Sequence, residues 1–322
     1  MNQQEQISQD IYNFKNQNPN GVVIIYGPTA TGKTSLSVYL ANKFANTQII
    51  SCDSRQIYRC MNIWTDKISA EIRSKISHHL IDIINPDENY TAADWQCDTY
   101  NILDNINISD NIENKNNLTL LVGGTWLYID TIYRNYNLWT VEANIDRRME
   151  LEELDLNNPG YCWDLLNTFD SLEAKKHHPS SIRFIIRAIE IYEQTWVPKS
   201  IYLSQRPVKY PIMMISLIRD PIIWNKLIDT RLDQMINDGL IDEVRWLMDI
   251  YDPNLKSMQS IDYKQIIWYL KWEYDYDQMV ELLRIANHQL AKKQRTRFRK
   301  YKTESENNPK NNVVYKEYII EW

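Results

Sequence analysis

Short apolar runs alternate with longer stretches of helical period through the first part of the chain. Val22-Val23-Ile24-Ile25 is a β-branched run of the kind a buried strand presents. Behind it, apolar residues at 36, 40 and 44 predict a helix that includes Ser35–Ala41. Gln48–Cys52 predicts a second strand, ending at Asp53. Leu80–Ile84 predicts a third, closed by Asn85-Pro86, and Leu118–Val122 a fourth, ending in Gly123-Gly124-Thr125. Thr91-Ala92-Ala93-Asp94 reads as a capping box that opens a helix, with Tyr90 as its staple. The asparagine-rich stretch 105–117 reads as a loop or a frayed helix end. Strands alternating with helices imply an α/β fold, a parallel sheet with helices on both faces. Ligands then bind at the carboxyl ends of the strands. Gly27–Thr34, Asp53 and Thr125 all fall at such ends.

Residues 140–205 change character. They are charged, helix-patterned and poor in strands, as in Ile145–Leu151 and Ile182–Tyr192. Pro211–Leu217 reads as a return strand, followed by amphipathic helices over 222–237, 241–249, 263–271 and 277–300. The expected layout is a polar lead-in over 1–20, a core formed by 21–139 and 206–302, a helical insertion over 140–205 and a tail over 303–322. No internal repeat is evident.

The first strand–helix junction carries a specific motif. Gly27-Pro28-Thr29-Ala30-Thr31-Gly32-Lys33-Thr34 fits G-x-x-x-x-G-K-[ST] without a gap. Backbone N–H groups of such a loop and the following helix terminus form an anion site. Lys33 adds a point charge and the Thr34 hydroxyl suits Mg²⁺. A chance match in an ordinary turn is the alternative, and the strand before and helix after argue against it. The strand at 118–122 offers no carboxylate at its end, which a kinase or ATPase would want for its metal. The phosphate held here therefore suits a leaving group better than a nucleotide to be hydrolysed.

Composition narrows the class. The chain has 322 residues, 43% of them hydrophobic and 24% charged, which are globular values. No apolar run is long enough for a membrane span, and the polar N-terminus has neither signal- nor transit-peptide character. Cys52, Cys60, Cys97 and Cys162 are widely spaced, as suits reduced thiols in a cytoplasm. His78-His79 and His177-His178 are adjacent pairs, a spacing poorly matched to zinc. A net charge of −6 does not advertise nucleic-acid binding, yet residues 292–302 hold seven basic side chains in eleven positions. Such a stretch suits phosphate contact along an RNA stem, or simply a solvated basic helix end.

Several stretches together resemble the tRNA dimethylallyltransferases. They are GPTATGKTSL (27–36), SCDSRQIYRCMNIWTDK (51–67), HHLIDIINPDENYTAADW (78–95), LLVGGTWLY (120–128), HHPSSIRFIIRAIEIY (177–192), RLDQMINDGLIDEV (231–244), SIDYKQ (260–265) and QLAKKQRTRFR (289–299). They occur in family order from residue 21 to about 300. The resemblance implies a P-loop NTPase-like fold in which the loop holds dimethylallyl diphosphate with Mg²⁺. N6 of the adenosine beside the anticodon attacks the allylic carbon and diphosphate leaves. It implies Asp53 as general base, Thr125 in the reaction channel and Arg231 as a diphosphate clamp, a task that suits a guanidinium. By themselves these three residues read equally as a strand-end turn former, a turn residue and a solvated helix residue. The resemblance places Ser54, Arg55, Gln56, Arg147, Arg183, Arg187, Lys264, Lys292 and Lys293 near the tRNA, with Asp53 and Thr125 beside the target base. It also implies a cytoplasmic monomer with no membrane partner. Competing readings are an adenylate isopentenyltransferase, a small-molecule or nucleotide kinase, and a non-catalytic RNA-binding relic. The insertion and the basic tail disfavour the first.

The chain departs from the family pattern in places. Trp64, Trp126, Trp196 and Asp262 stand where glycine is usual, and Asp66 where alanine is. Asn287-His288 replace a Thr-Arg pair, Arg297 replaces a Trp, and Phe184 and Leu227 stand where Arg is common. There are 7 glycines against 11 tryptophans, where glycine ordinarily makes up about 7% of residues. Tryptophan at tight turns and scarcity of glycine share one explanation if UGA codons are read as glycine in the source.

Overall fold

A computed structural model describes residues 2–110, 117–138, 141–204 and 206–320. It divides into two compact units, one of residues 1–133 and 208–322, the other of 134–207. The first unit opens with α1 (Gln3–Gln17), β1 (Val22–Tyr26), α2 (Lys33–Lys43), β2 (Gln48–Ser51), α3 (Ala70–Lys75) and β3 (Ser77–His79). It continues through α4 (Ala92–Asp110), β4 (Thr119–Gly123) and α5 (Trp126–Tyr133). The second unit holds α6 (Ile145–Asn157), α7 (Tyr161–Phe169), α8 (Ser171–Ala174), α9 (Ile182–Thr195) and α10 (Lys199–Tyr202). The chain then returns with β5 (Ile212–Ile218), α11 (Pro221–Asn237), α12 (Leu240–Ile250), α13 (Tyr263–Leu270), α14 (Tyr276–Asn307) and β6 (Val313–Ile319).

The six strands form one sheet in the order β3-β2-β4-β1-β5-β6, every pair parallel. Central β1 is buried along its whole length, as its unbroken apolar run requires. Its side chains alternate between two cores. Val22, Ile24 and Tyr26 pack with Trp95 and Leu103 of α4, Tyr128 and Ile132 of α5, and Phe298 and Tyr301 of α14. Val23 and Ile25 pack with Leu36 and Leu40 of α2 and Ile7, Ile11 and Phe14 of α1. A third core joins α11, α12, α13 and the start of α14 to Ile57, Tyr58 and Met61 of the segment after β2.

Three expectations need correction. Residues 1–20 are not a loose lead-in. Ile7, Ile11 and Phe14 recur at helical spacing, the Asn2–Glu5 capping box starts the helix, and that apolar face covers the sheet. Leu80–Ile84 is not the third strand. The strand lies just before it at Ser77–His79, and Leu80 and Asp82 adopt φ of 59° and 57°, which no strand accommodates. Residues 303–322 are not a tail. The last helix runs to Asn307, and Val313–Ile319 adds a parallel edge strand to β5. The capping box at Thr91 forms, with Thr91 N–H donating to Asp94 at 2.8 Å and Asp94 N–H returning to the Thr91 hydroxyl at 3.2 Å. Within the 105–117 stretch, helix α4 extends to Asp110, and 111–116 lie outside the described residues.

The second unit has its own core of Leu151, Cys162, Leu166, Ala174, Ile185, Ile186, Ala188 and Ile189. Buried Glu190 anchors it, receiving Arg148 at 2.6 Å, Arg187 at 3.1 Å and the Asn144 N–H at 3.0 Å. Burial works to raise this carboxyl, but the two guanidiniums outweigh it and hold its pKa below the ordinary value.

Candidate active site

The carboxyl ends of β1, β2 and β4 open into a cavity of about 640 Å³. Its floor is the loop between β1 and α2. Gly32 takes φ 84° where that loop turns into the helix, a conformation glycine adopts without strain. The first N–H groups of α2, from Lys33 onward, have no intrahelical acceptor and belong to the positive end of the helix dipole. Lys33 Nζ donates to the Pro28 carbonyl at 2.7 Å. Burial pushes its pKa down to about 8, and Arg231 adds to the depression, while Asp53 and Asp66 oppose it. This ammonium is therefore poised to gain from an incoming anion.

Arg231, on α11, donates to the Thr29 hydroxyl and lies 3.4 Å from Asp66. Its α11 neighbour Trp224 donates its indole N–H to the Thr29 carbonyl at 2.8 Å. Two cationic groups thus converge on one anion-binding loop.

The opposite wall comes from the ends of β2 and β4. A Cβ on Gly123 would sit 2.3 Å from the Cys52 carbonyl oxygen, so glycine lets these two strand ends close up. Thr125 N–H donates to that same carbonyl at 3.0 Å, and the Thr125 hydroxyl accepts the Ser54 N–H at 3.0 Å. Asp53 accepts the Arg55 N–H at 2.9 Å, a local turn that fixes its carboxylate. Gln56 is locked by Ser51 at 2.8 Å and by the Thr65 carbonyl at 3.0 Å.

Asp53, Ser54, Arg55, Gln56, Thr125, Arg231, Lys293 and the loop from Thr29 to Thr34 all line this cavity. A carboxylate, a hydroxyl and two cations thus share one cavity, the donors and acceptors that displacement of an anionic leaving group by an amine requires. Among the described residues, no cluster of three acidic, His or Cys side chains could hold a metal by itself.

The model of the family described as IPP transferase matches residues 56–301. A tRNA dimethylallyltransferase of Thermosipho africanus is 39% identical over 281 residues, which span 87% of this chain and 90% of that protein. One of Microcystis aeruginosa is 39% identical over 278 residues, 86% of this chain and 84% of that one. The chain belongs to the IPP transferase family. Among solved structures, the full-length tRNA isopentenylpyrophosphate transferase of Bacillus halodurans superposes with a TM-score of 0.62 at 33% identity, covering 92% of this chain and 90% of that one. A eukaryotic dimethylallyltransferase acting on tRNA superposes with a TM-score of 0.72 at 26% identity, covering 85% and 68%.

Other residues expected from the IPP transferase resemblance lie elsewhere. Gly27 is buried at the loop's start. Lys264 is exposed on α13, its ammonium over the Trp268 ring at 5.1 Å. Lys292 lies outside the cavity, in an outer groove with Lys293, Arg297 and Lys300. Arg147, Arg183 and Arg187 belong to the second unit. Arg147 is clasped by Glu193, at 2.6 Å, and by Glu150, at 2.8 Å, while Arg187 is tied to Glu190 and to the Val141 carbonyl at 2.9 Å. Both are committed to the scaffold of their own unit. Arg183 is exposed and makes no ion pair among the described residues.

Asp66, Trp224 and Gln294 join the site beyond the residues expected there. Asp66 sits within MNIWTDK and Gln294 within QLAKKQ, so both carry a motif signal. Trp224 carries no motif. What it does depends on the docking of α11 against the loop, a tertiary contact without a local signal.

Proposed function

We propose that this IPP transferase moves a dimethylallyl group from dimethylallyl diphosphate to N6 of the adenosine 3′-adjacent to the anticodon, in tRNAs reading codons that begin with U. The observation that carries the reading is one cavity lined by the Lys33 and Arg231 cations together with the Asp53 carboxylate and the Thr125 hydroxyl. In the step, the N6 lone pair forms a bond to the allylic carbon as the carbon–oxygen bond to diphosphate breaks. The released N6 proton passes to the Asp53 carboxylate. Lys33, Arg231 and the loop N–H groups stabilise the charge that collects on the leaving diphosphate, a contribution that grows in the transition state. Thr125, held between Cys52 and Ser54, orients the acceptor beside Asp53.

The Thr34 hydroxyl, at the first turn of α2, fits one ligand position of Mg²⁺. With no acidic cluster among the described residues, the rest of the coordination would come from diphosphate oxygens and water, as this ion commonly prefers. When bound, it would neutralise leaving-group charge. A target adenine whose N6 reaches Asp53 in this cavity must leave its stack, which favours an anticodon loop over a duplex. The protein is proposed to act as a monomer in the cytoplasm.

The test is incubation of the protein with Mg²⁺, dimethylallyl diphosphate and an anticodon stem-loop, beside free AMP and an Asp53→Ala control. Mass spectrometry should find prenylated adenosine on the stem-loop only, and none in the control. Product on AMP would instead assign a nucleotide prenyltransferase. Stem-loop binding without product on either acceptor would assign a non-catalytic RNA-binding protein.

A further inference from the structure

Among the α14 side chains that line the catalytic cavity, Gln294 hydrogen-bonds to both of its walls. Ala291 is buried against Trp224 and Ile228, with Ala30 of the phosphate loop packed on the same cluster. Phe298 and Tyr301, two turns further on, are buried against Tyr26 at the end of β1. Gln294 lies between them on that face. Its amide oxygen accepts the Thr29 N–H at 3.0 Å, and its amide nitrogen donates to the Gly124 carbonyl at 3.1 Å. A Cβ on Gly124 would come within 2.7 Å of that nitrogen, so glycine leaves room for the tie. Thr29 also accepts from Arg231. Thr125, next to Gly124, is bonded to the Asp53 turn.

We propose that Gln294 is a positioning residue that fixes the spacing between the diphosphate loop and the Thr125–Asp53 wall. This rests on the function proposed above. The side-chain amide has one donor and one acceptor end, and each wall presents the matching group. Holding both walls from one rigid helix sets the distance between the departing diphosphate and the attacking amine. An error of about 1 Å in such a distance can cost a rate factor of about a hundred.

Gln294→Met and Gln294→Glu test it. Methionine keeps length and volume but makes neither bond. Glutamate keeps the acceptor for Thr29 and loses the donor for Gly124. Expected for Gln294→Met is a kcat on the stem-loop lower by about a hundredfold, with unchanged thermal midpoint and at most a small change in KM for the RNA. Hydrogen exchange should speed up at Thr29 while the α14 amides on either side keep their protection. Gln294→Glu should retain Thr29 protection yet still lose kcat. Pyrophosphate binding by the parent protein, measured by calorimetry with Lys33→Ala as control, separates the two layers. If the parent neither binds pyrophosphate nor transfers, the function itself is wrong. If the parent does both and Gln294→Met matches it in kcat and Thr29 exchange, the positioning role is overturned. A fall in the midpoint that accounts for the lost activity also overturns it.

Trp196 and Trp272 occupy positions suited to glycine. Trp196 ends α9 with φ 57° and Trp272 follows α13 with φ 64°, both in the left-handed region. They are 78% and 91% exposed, so neither indole gains much burial in return. Gly160 and Gly239 hold the same region without a side chain, at φ 96° and 98°, and of the described non-glycine residues there only Trp196 and Trp272 are tryptophans. Trp64 is not in this region; it is half-buried and packs on Tyr263 at 5.4 Å. We infer that positions 196 and 272 are encoded by UGA and are translated as glycine in the source organism. Peptide mass spectrometry of the protein purified from that organism should find glycine at both positions. Tryptophan at either position overturns the inference there.

Discussion

Asp262 combines two unfavourable features at one residue. It is fully buried with φ 71°, and one carboxylate oxygen has no hydrogen-bond partner. The other oxygen takes the Asn287 side-chain N–H at 2.7 Å. Burial pushes the pKa up to about 7, against the pull of Asn287, Trp64 and Arg231. An unfolded Asp titrates near 4, so between roughly pH 4 and 7 the native state holds the extra proton. Stability therefore falls as pH rises across that window and stays low above it. Asp262→Gly removes both the buried charge and the strained φ. It should raise the thermal midpoint, and by more at pH 8 than at pH 5. Scanning calorimetry at both values checks this; an equal gain at both would leave only the backbone term.

Lys33 gives a second test at this scale. With its pKa lowered to about 8 in the free protein, it is charged below that pH and increasingly neutral above. An added diphosphate raises its pKa, so binding above pH 8 must take up a proton. Pyrophosphate affinity measured by calorimetry should therefore weaken as pH rises from 8 towards 10. Lys33→Arg, charged throughout, should flatten the profile.

At the scale of elements, α1 shows what the chain's first residues do. Ile11 is wholly buried in the core on the α1–α2 side of the sheet. Ile11→Ala should lower stability by about 2–5 kcal/mol, read from urea unfolding, with the same slope against denaturant as the parent. The strand–loop–helix at 22–43 was legible because each part has its own signal: β-branched run, glycine spacing, helical period. So were the helices α11 to α14, whose apolar stripes are long. What escaped were α1, β3 and β6. The first was hidden by polar residues around an apolar stripe of three. Ser77–His79 is too short and polar to register as a strand, while the apolar run beside it bends away at Leu80 and Asp82. In β6 the sequence VVYKEYI reads as half-exposed, and only pairing along β5 makes it part of the sheet. The site was legible as motif letters at Asp53, Thr125 and Arg231. The bridge from Gln294 was not, because it joins residues 265 and 170 positions apart.

At the scale of the whole molecule, charge sits unevenly. The chain as a whole is negative, at −6, which slows association with a polyanion unless positive charge is concentrated where RNA meets it. Helix α14 supplies that concentration. Of its seven basic residues over 292–302, Arg297 is tied to buried Asp130 and Lys302 to Glu317. Lys292, Lys293, Arg295, Arg299 and Lys300 make no ion pair among the described residues, and Lys292, Lys293 and Lys300 line one outer groove. Each phosphate neutralised by such a group contributes about one unit to the salt dependence of binding. Lys292→Gln with Lys300→Gln should weaken stem-loop binding at all sequences alike and reduce the slope of log Kd against log salt by about two. The KM for dimethylallyl diphosphate should stay put, because neither side chain lines the catalytic cavity. Arg147→Ala should behave in the opposite way: it breaks the links to Glu193 and Glu150 and loosens the second unit without that clean change in slope. Fluorescence anisotropy of a labelled stem-loop across a salt series distinguishes the two. An unchanged slope in the double variant would remove α14 from the RNA-binding surface.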